Sequence, residues 1–80
     1  MDYWEEYKYD SAGNRTKETF YNADGSVNYR VEYEYEDGKN TKRTVYNADG
    51  IINCREEYDS AGNMTKATWY DADGNVIGTN

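Results

Sequence analysis

The pentapeptide Tyr21-Asn22-Ala23-Asp24-Gly25 decides the fold, because it recurs at residues 46–50 and, with Asp71 replacing the asparagine, at 70–74. A second turn sequence, Tyr9-Asp10-Ser11-Ala12-Gly13, alternates with it. It returns at 58–62 and, shortened, at 35–38. The six turn glycines are spaced by twelve residues, with a single interval of thirteen. This spacing is typical of short strands joined by tight turns. We therefore predict an all-β protein: one strongly twisted antiparallel β-meander of about seven strands.

The turn sequences predict two kinds of hairpin loop. Asn22-Ala23-Asp24-Gly25 is typical of a three-residue loop in which the glycine has a positive φ and forms a G1 bulge. The shorter Asp37-Gly38 is typical of a two-residue type I′ loop. Between the turns, a Thr-Lys-x-Thr stretch recurs at 16–19, 41–44 and 65–68, and threonine and tyrosine favour strands.

Turn length fixes the register of each hairpin, and the register fixes which side chains share a face. The predicted cross-strand neighbours are Tyr9 with Arg15, Tyr3 with Tyr21, Tyr21 with Val27, Tyr29 with Tyr46, Tyr46 with Ile52, Tyr58 with Met64, and Tyr70 with both Ile52 and Val76. This register places all ten tyrosines on one face. The lysines Lys17, Lys42 and Lys66 are expected among the rings, where their stems can cover ring faces.

Two candidate contact surfaces follow from this register. The predicted binding residues on the tyrosine-rich face are Tyr7, Tyr9, Tyr29, Tyr33, Tyr35, Lys17 and Lys42. The opposite face is expected to hold the acidic residues Glu6, Glu18, Glu32, Glu34 and Glu57, with Arg30, Arg43 and Arg55 between them. A thinner apolar row of Trp4, Phe20, Val45, Trp69 and Ile77 is expected to cross that second face.

The length of 80 residues predicts one domain, near the lower limit for a core that is stable alone. We divide residues 1–80 into units at about 1–35, 36–58 and 59–80. Two such faces in a single sheet favour a homo-oligomer or a partner that covers one of them.

Composition argues against an enzyme. The chain has no histidine, and Cys54 therefore has no imidazole base to make it a nucleophile. Residues 71–74 lack the further oxygen ligands that an EF-hand calcium loop requires. We therefore expect no catalytic residue, no metal and no cofactor.

The formal net charge of −7 argues against direct binding to nucleic acid or to an anionic membrane. No apolar stretch has the length of a signal peptide or a membrane helix. The expected location is cytoplasmic, or extracellular if the chain is part of a longer exported protein.

The units Tyr58-Asp59-Ser60-Ala61-Gly62-Asn63 and Tyr21-Asn22-Ala23-Asp24-Gly25, each followed by a strand, resemble the tyrosine–aspartate (YD, or RHS-type) repeats of bacterial surface and toxin-delivery proteins. They are also similar to the Asp-Gly hairpin repeats of MORN-like bacterial proteins. The resemblance covers nearly the whole chain and implies β-hairpins laid side by side, acting as scaffold and binding surface. Three units are too few to close the shell that such repeats form.

Three functional hypotheses remain open. The first is a non-enzymatic module that binds a protein or glycan through the face rich in tyrosine and lysine, since tyrosine supplies large, rigid contact area. The second is a small acidic inhibitor of phage type, whose glutamates occupy a basic nucleic-acid-binding site on another protein. The third is a repeat fragment with a structural role only.

Overall fold

The computed structural model describes residues 3–80, and it describes Tyr3 by its backbone alone. Within this range the chain forms one open sheet of seven antiparallel strands, which follow each other in sequence order. The strands are β1 (Tyr3–Tyr9), β2 (Arg15–Asn22), β3 (Val27–Glu36), β4 (Lys39–Asn47), β5 (Ile52–Tyr58), β6 (Met64–Tyr70) and β7 (Val76–Thr79). The predicted all-β meander is confirmed.

The turns adopt the two predicted conformations. In the first turn, the amide of Gly13 donates to the carbonyl of Asp10, and the amide of Asp10 donates to the carbonyl of Asn14. Gly13 has a φ of 88°, as a G1 bulge requires. The shorter turn has positive φ at both Asp37 (52°) and Gly38 (79°), which is the type I′ signature. Turn chemistry therefore determines where each strand ends.

Each hairpin also contains a second irregularity, which turn chemistry does not predict. In the second strand of each hairpin, the residue three positions after the turn glycine has no partner in the pairing. In the first hairpin, for example, Tyr9 pairs with Arg15 but Lys8 pairs with Lys17. The skipped residues are Thr16, Asn28, Thr41, Asn53, Thr65 and Ile77. Such an extra residue is a β-bulge, and it shifts the register of the rest of the hairpin by one.

These bulges separate the correct register predictions from the wrong ones. Next to the turns, the structure confirms Tyr9 with Arg15, Tyr21 with Val27, Tyr46 with Ile52, Tyr58 with Met64, and Tyr70 with Val76. Beyond the bulges the predictions are wrong. Tyr3 pairs with Asn22, Tyr29 pairs with Asn47, and the pairing of Trp69 with Cys54 moves Tyr70 away from Ile52.

The sheet is a single layer with little buried interior. Its extents are 40 × 34 × 15 Å, and its radius of gyration is 13.9 Å. A compact chain of this length would have a radius of gyration of about 11.6 Å. In the described part of the chain, the buried residues are Val31 and Ala67 on one face and Thr44 and Thr68 on the other. Both faces are therefore wide, accessible surfaces.

The negative charge lies in the turns and not on a face. All nine lysines and arginines and all eight glutamates lie in strands, so the strands together are almost neutral. Among residues 3–80, every aspartate lies between strands. The predicted glutamate-dense acidic face is thus wrong as a location for the charge, because the strand glutamates are balanced by basic residues.

Candidate binding faces

Each bulge reverses the alternation of side chains along its strand, so the two faces differ from the predicted ones. Following the pairing across the sheet defines two surfaces. The tyrosine face comprises Glu5, Tyr7, Tyr9, Arg15, Glu18, Phe20, Asn22, Tyr29, Val31, Tyr33, Tyr35, Asn40, Arg43, Val45, Asn47, Cys54, Glu56, Tyr58, Met64, Ala67 and Trp69. The lysine face comprises Trp4, Glu6, Lys8, Lys17, Thr19, Tyr21, Val27, Arg30, Glu32, Glu34, Glu36, Lys39, Lys42, Thr44, Tyr46, Ile52, Arg55, Glu57, Lys66, Thr68, Tyr70, Val76 and Thr79.

The structure places the five predicted tyrosines of the binding site on one face, but several residues predicted beside them lie on the other face. Tyr21, Tyr46 and Tyr70 lie on the opposite face, and the side chain of Tyr3 is outside the described part of the chain. The predicted binding residues Lys17 and Lys42, with Lys66, also lie on the lysine face.

The predicted acidic face needs a matching correction. Glu6, Glu32, Glu34 and Glu57 share the lysine face as predicted, together with Arg30 and Arg55. Glu18 and Arg43 instead lie on the tyrosine face. The apolar row is also divided, since Phe20, Val45 and Trp69 lie on the tyrosine face and Trp4 lies on the other.

A network around Glu18 organises one half of the tyrosine face. The carboxylate of Glu18 accepts a hydrogen bond from the hydroxyl of Tyr33 at 2.7 Å. It also forms an ion pair with Arg15 at 2.7 Å. The guanidinium of Arg15 lies 4.2 Å from the ring centre of Tyr7 and donates to the hydroxyl of Tyr9 at 3.3 Å. One carboxylate and one guanidinium therefore hold three rings in place.

A second network is centred on Glu56, across the sheet from the first. Its carboxylate accepts a hydrogen bond from the Tyr58 hydroxyl at 2.8 Å and contacts Arg43 at 3.2 Å. Burial, followed by the bond to Glu18, raises the pKa of Tyr33 above its usual value of 10.0. Burial and then the bond to Glu56 raise the pKa of Tyr58 in the same way. These phenols are therefore neutral hydrogen-bond donors at neutral pH.

The rings of the tyrosine face remain accessible although they are ordered. Tyr9 is 55 % exposed, Met64 47 % and Trp69 43 %. Phe20 and Tyr29 stack with their centres 4.4 Å apart. Ordered, partly exposed aromatic side chains on an open surface are typical of protein contact sites.

The lysine face is polar and its charges are largely compensated. Glu34, Lys42, Glu57 and Lys66 follow one another across four strands with alternating sign. The Lys42 ammonium lies 3.7 Å from the carboxylate of Glu34. Arg30 lies over the ring of Tyr46 at 4.2 Å. The aromatic contacts of this face lie at two separate places, the stacked pair of Trp4 and Tyr21, with ring centres 5.0 Å apart, and the Arg30–Tyr46 contact. They do not form a continuous aromatic surface.

Sequence reasoning missed a groove beside the shortened turn. The ammonium of Lys39 donates to the carbonyl of Ser60 at 2.9 Å and so links the third turn to the fifth. The adjoining open groove has a volume of about 500 Å³ and is lined by Lys39, Asn40, Tyr58 and residues 60–62. The shortened Asp37-Gly38 turn was the available signal, because β3 and β4 are the longest strands and extend to it.

The surroundings of Cys54, the cysteine considered above as a nucleophile, do not activate it. The thiol of Cys54 is half-buried, and burial and then the nearby Glu56 raise its pKa above the usual value of 9.0. A raised pKa keeps the thiol protonated and a poor nucleophile. Within residues 3–80, no three Cys, Asp or Glu side chains are grouped so that they could hold a metal ion. The same part of the chain contains no helix long and apolar enough to cross a membrane.

Comparison with known proteins gives one partial match. A family model described as a protein of unknown function (DUF2963) matches residues 46–78. The matched segment extends from the end of β4 to Gly78 in β7 and covers less than half of the chain. No curated protein and no solved structure matches the chain. The resemblance to YD and MORN-like repeats therefore stays a prediction.

Proposed function

We propose that this chain is a non-enzymatic binding module that contacts a protein partner through the tyrosine face. The observation that carries the proposal is the Glu18 network, which orders Tyr7, Tyr9 and Tyr33 on a surface without a second layer. Because these rings are already held in place, a partner would order few additional side chains on binding.

The size of the face supports a protein as the partner. A standard protein interface buries about 800 Å² on each side. A sheet with extents of 40 and 34 Å offers a surface of that scale. Glu18 and Glu56 already pair with Arg15 and Arg43, and Glu5 accepts a hydrogen bond from the Tyr7 hydroxyl. Much of the contact area that they leave is therefore aromatic.

The proposal is tested by comparing two double variants in a pull-down. Tyr9→Ala with Trp69→Ala removes exposed rings from the tyrosine face. Val76→Ala with Ile77→Ala removes exposed apolar side chains from the end of the sheet and serves as the matched control. We expect the unsubstituted chain and the control to retain the same proteins, and the tyrosine-face variant to lose them while its circular dichroism is unchanged.

Equal retention by both variants, or no retained protein with the unsubstituted chain, would overturn the proposal. Binding of the unsubstituted chain to a glycan array, if the tyrosine-face variant loses it, would identify a glycan as the partner. If the tyrosine-face variant unfolds, the face is structural and the third hypothesis is favoured.

A further inference from the structure

Strand β1 leaves one edge of the sheet unpaired. Within the described residues β1 is the first strand and pairs with β2 alone. Its residues Glu5–Tyr9 are all exposed. An edge strand of this length presents a row of free amide and carbonyl groups, which is a template for another strand. The opposite edge strand, β7, has four residues, is interrupted by the bulge at Ile77 and has no charged side chain.

Lys8 at the β1 edge has no opposing carboxylate within the described residues, whereas Lys17 lies opposite Glu32 on its other side. Lys8 lies directly opposite Lys17 on the lysine face. Like charges in this position destabilise a strand pair. Neither lysine forms an ion pair with another residue in the described range. A carboxylate on the outer side of Lys8 would therefore relieve a repulsion that the sheet otherwise contains.

A second copy of the chain can supply that carboxylate. A two-fold axis normal to the sheet pairs two β1 strands antiparallel and keeps the two tyrosine faces on the same side. Only residues of the same face can then lie opposite each other. With Tyr7 on the axis, Lys8 lies opposite Glu6 of the second copy, and Tyr9 lies opposite its Glu5. With Glu6 or Lys8 on the axis, identical charges would face each other.

We propose that two copies of this chain associate through their β1 edges, antiparallel, with Tyr7 on the two-fold axis. The dimer is a continuous sheet of fourteen strands, twice the seven of one chain. It concerns the edge and leaves the tyrosine face open, so it goes beyond the proposed binding function and does not depend on it. The short edge contact is smaller than the roughly 1,200 Å² of stable interfaces, and the dimer therefore depends on concentration.

Sedimentation over a range of concentrations tests the predicted charge pairs. Lys8→Glu should weaken the dimer by about tenfold or more, because both pairs become repulsive. The same substitution should raise the thermal stability of the monomer, since the new carboxylate faces Lys17. Exchanging both charges, Glu6→Lys with Lys8→Glu, should restore the dimer. Lys66→Glu changes the net charge as Lys8→Glu does, but it lies on β6 and should leave the dimer intact.

Disulfide cross-linking tests the register. In a Cys54→Ala background, Tyr7→Cys places two thiols directly opposite each other across the axis. Opposed residues in an antiparallel pair have Cα atoms about 4.5–5.5 Å apart, within the range that a disulfide spans. With oxidised glutathione, Tyr7→Cys should form covalent dimers faster than Glu6→Cys or Lys8→Cys. A chain that stays monomeric at millimolar concentration would overturn the proposal, as would faster cross-linking at either neighbouring position.

Discussion

The hydroxyl of Thr65 donates a hydrogen bond to the backbone carbonyl of Glu57, with the two oxygens 3.2 Å apart. Thr65 is the extra residue of the fifth hairpin, and Glu57 lies on the opposing strand beside the bulge. Thr16 makes the equivalent bond to Lys8, and Thr41 makes it to Glu34. The threonine hydroxyl thus provides a donor where the ladder of backbone hydrogen bonds is interrupted.

Removing this hydroxyl should destabilise the protein although the shape of the side chain is kept. We expect Thr65→Val to lower the free energy of unfolding by about 0.5–1.5 kcal/mol, the usual net contribution of one such hydrogen bond. Thr65→Ser keeps the donor and should retain most of that stability. Urea unfolding of the two variants measures the difference. Equal losses would show that the hydroxyl does not stabilise the bulge.

The turn glycines should be intolerant of substitution for conformational reasons alone. Gly62 has a φ of +88°, and a Cβ added there would meet no atom within 4 Å. Gly62→Ala should therefore cost about 1–3 kcal/mol through backbone strain and not through a clash.

Gly78 provides the control for this prediction. Its φ is not in the left-handed region, and an added Cβ would lie 3.8 Å from Trp69, an ordinary contact. Gly78→Ala should be neutral or stabilise by about 0.5–1 kcal/mol, because alanine loses less chain entropy on folding. The midpoints of thermal unfolding compare the two. Similar midpoints would show that the positive φ at Gly62 does not require glycine.

The order of the strands could be predicted because it depends on local turn chemistry. Gly25 and Gly38 determine where their hairpins turn, and each turn needs only the residues that form it. Pairs next to a turn, such as Tyr58 with Met64, were correct for the same reason. Fold class and the positions of the turns therefore followed from the sequence.

The faces were not predicted correctly, because they depend on six bulges that lie beyond the turns. A single extra residue moves the rest of a strand to the opposite face. The recurring threonines at 16, 41 and 65 were a usable signal, since each is an extra residue. Ile77 holds the same position without a side-chain hydrogen-bonding group, so no local rule identifies its bulge. Six of the nine tyrosines whose side chains the structure describes share one face, and Tyr21, Tyr46 and Tyr70 lie on the other. The grouping was thus correct only in part.

The thin interior makes Val31 unusually important for stability. Val31 is 2 % exposed and lies between Glu18 and Val45 in the register. Val31→Ala removes two methyl groups and should cost about 1.5–3 kcal/mol, including the cavity that it leaves. Val76 is 57 % exposed, and Val76→Ala should change stability by less than about 0.5 kcal/mol. Chemical denaturation measures both, and equal effects would contradict the assignment of Val31 to the core.

Three turn aspartates should make the fold sensitive to acid. They are Asp10, Asp59 and Asp71. Each carboxylate accepts backbone hydrogen bonds that hold its pKa below the usual value of 3.8. The largest effect on the pKa comes from the amides of Asn14, Asn63 and Asn75 respectively. A folded-state pKa below the unfolded one adds stability that is fully present above the unfolded pKa. That stability is lost as the pH falls below 3.8 and through the folded-state values.

Two substitutions in the sixth turn isolate this effect. The Asp71 carboxylate accepts hydrogen bonds from the amides of Asp73 and Asn75, at 2.9 and 3.0 Å. Asp71→Asn keeps a side-chain oxygen that can accept these bonds but removes the titration. The urea midpoint of this variant should therefore fall less steeply between about pH 5 and pH 2. Asp73→Asn removes the same charge from a carboxylate that accepts no hydrogen bond among the described residues, and it should keep the steep slope. If both variants show the same slope, general charge repulsion between the turns controls acid unfolding, and the turn hydrogen bonds do not.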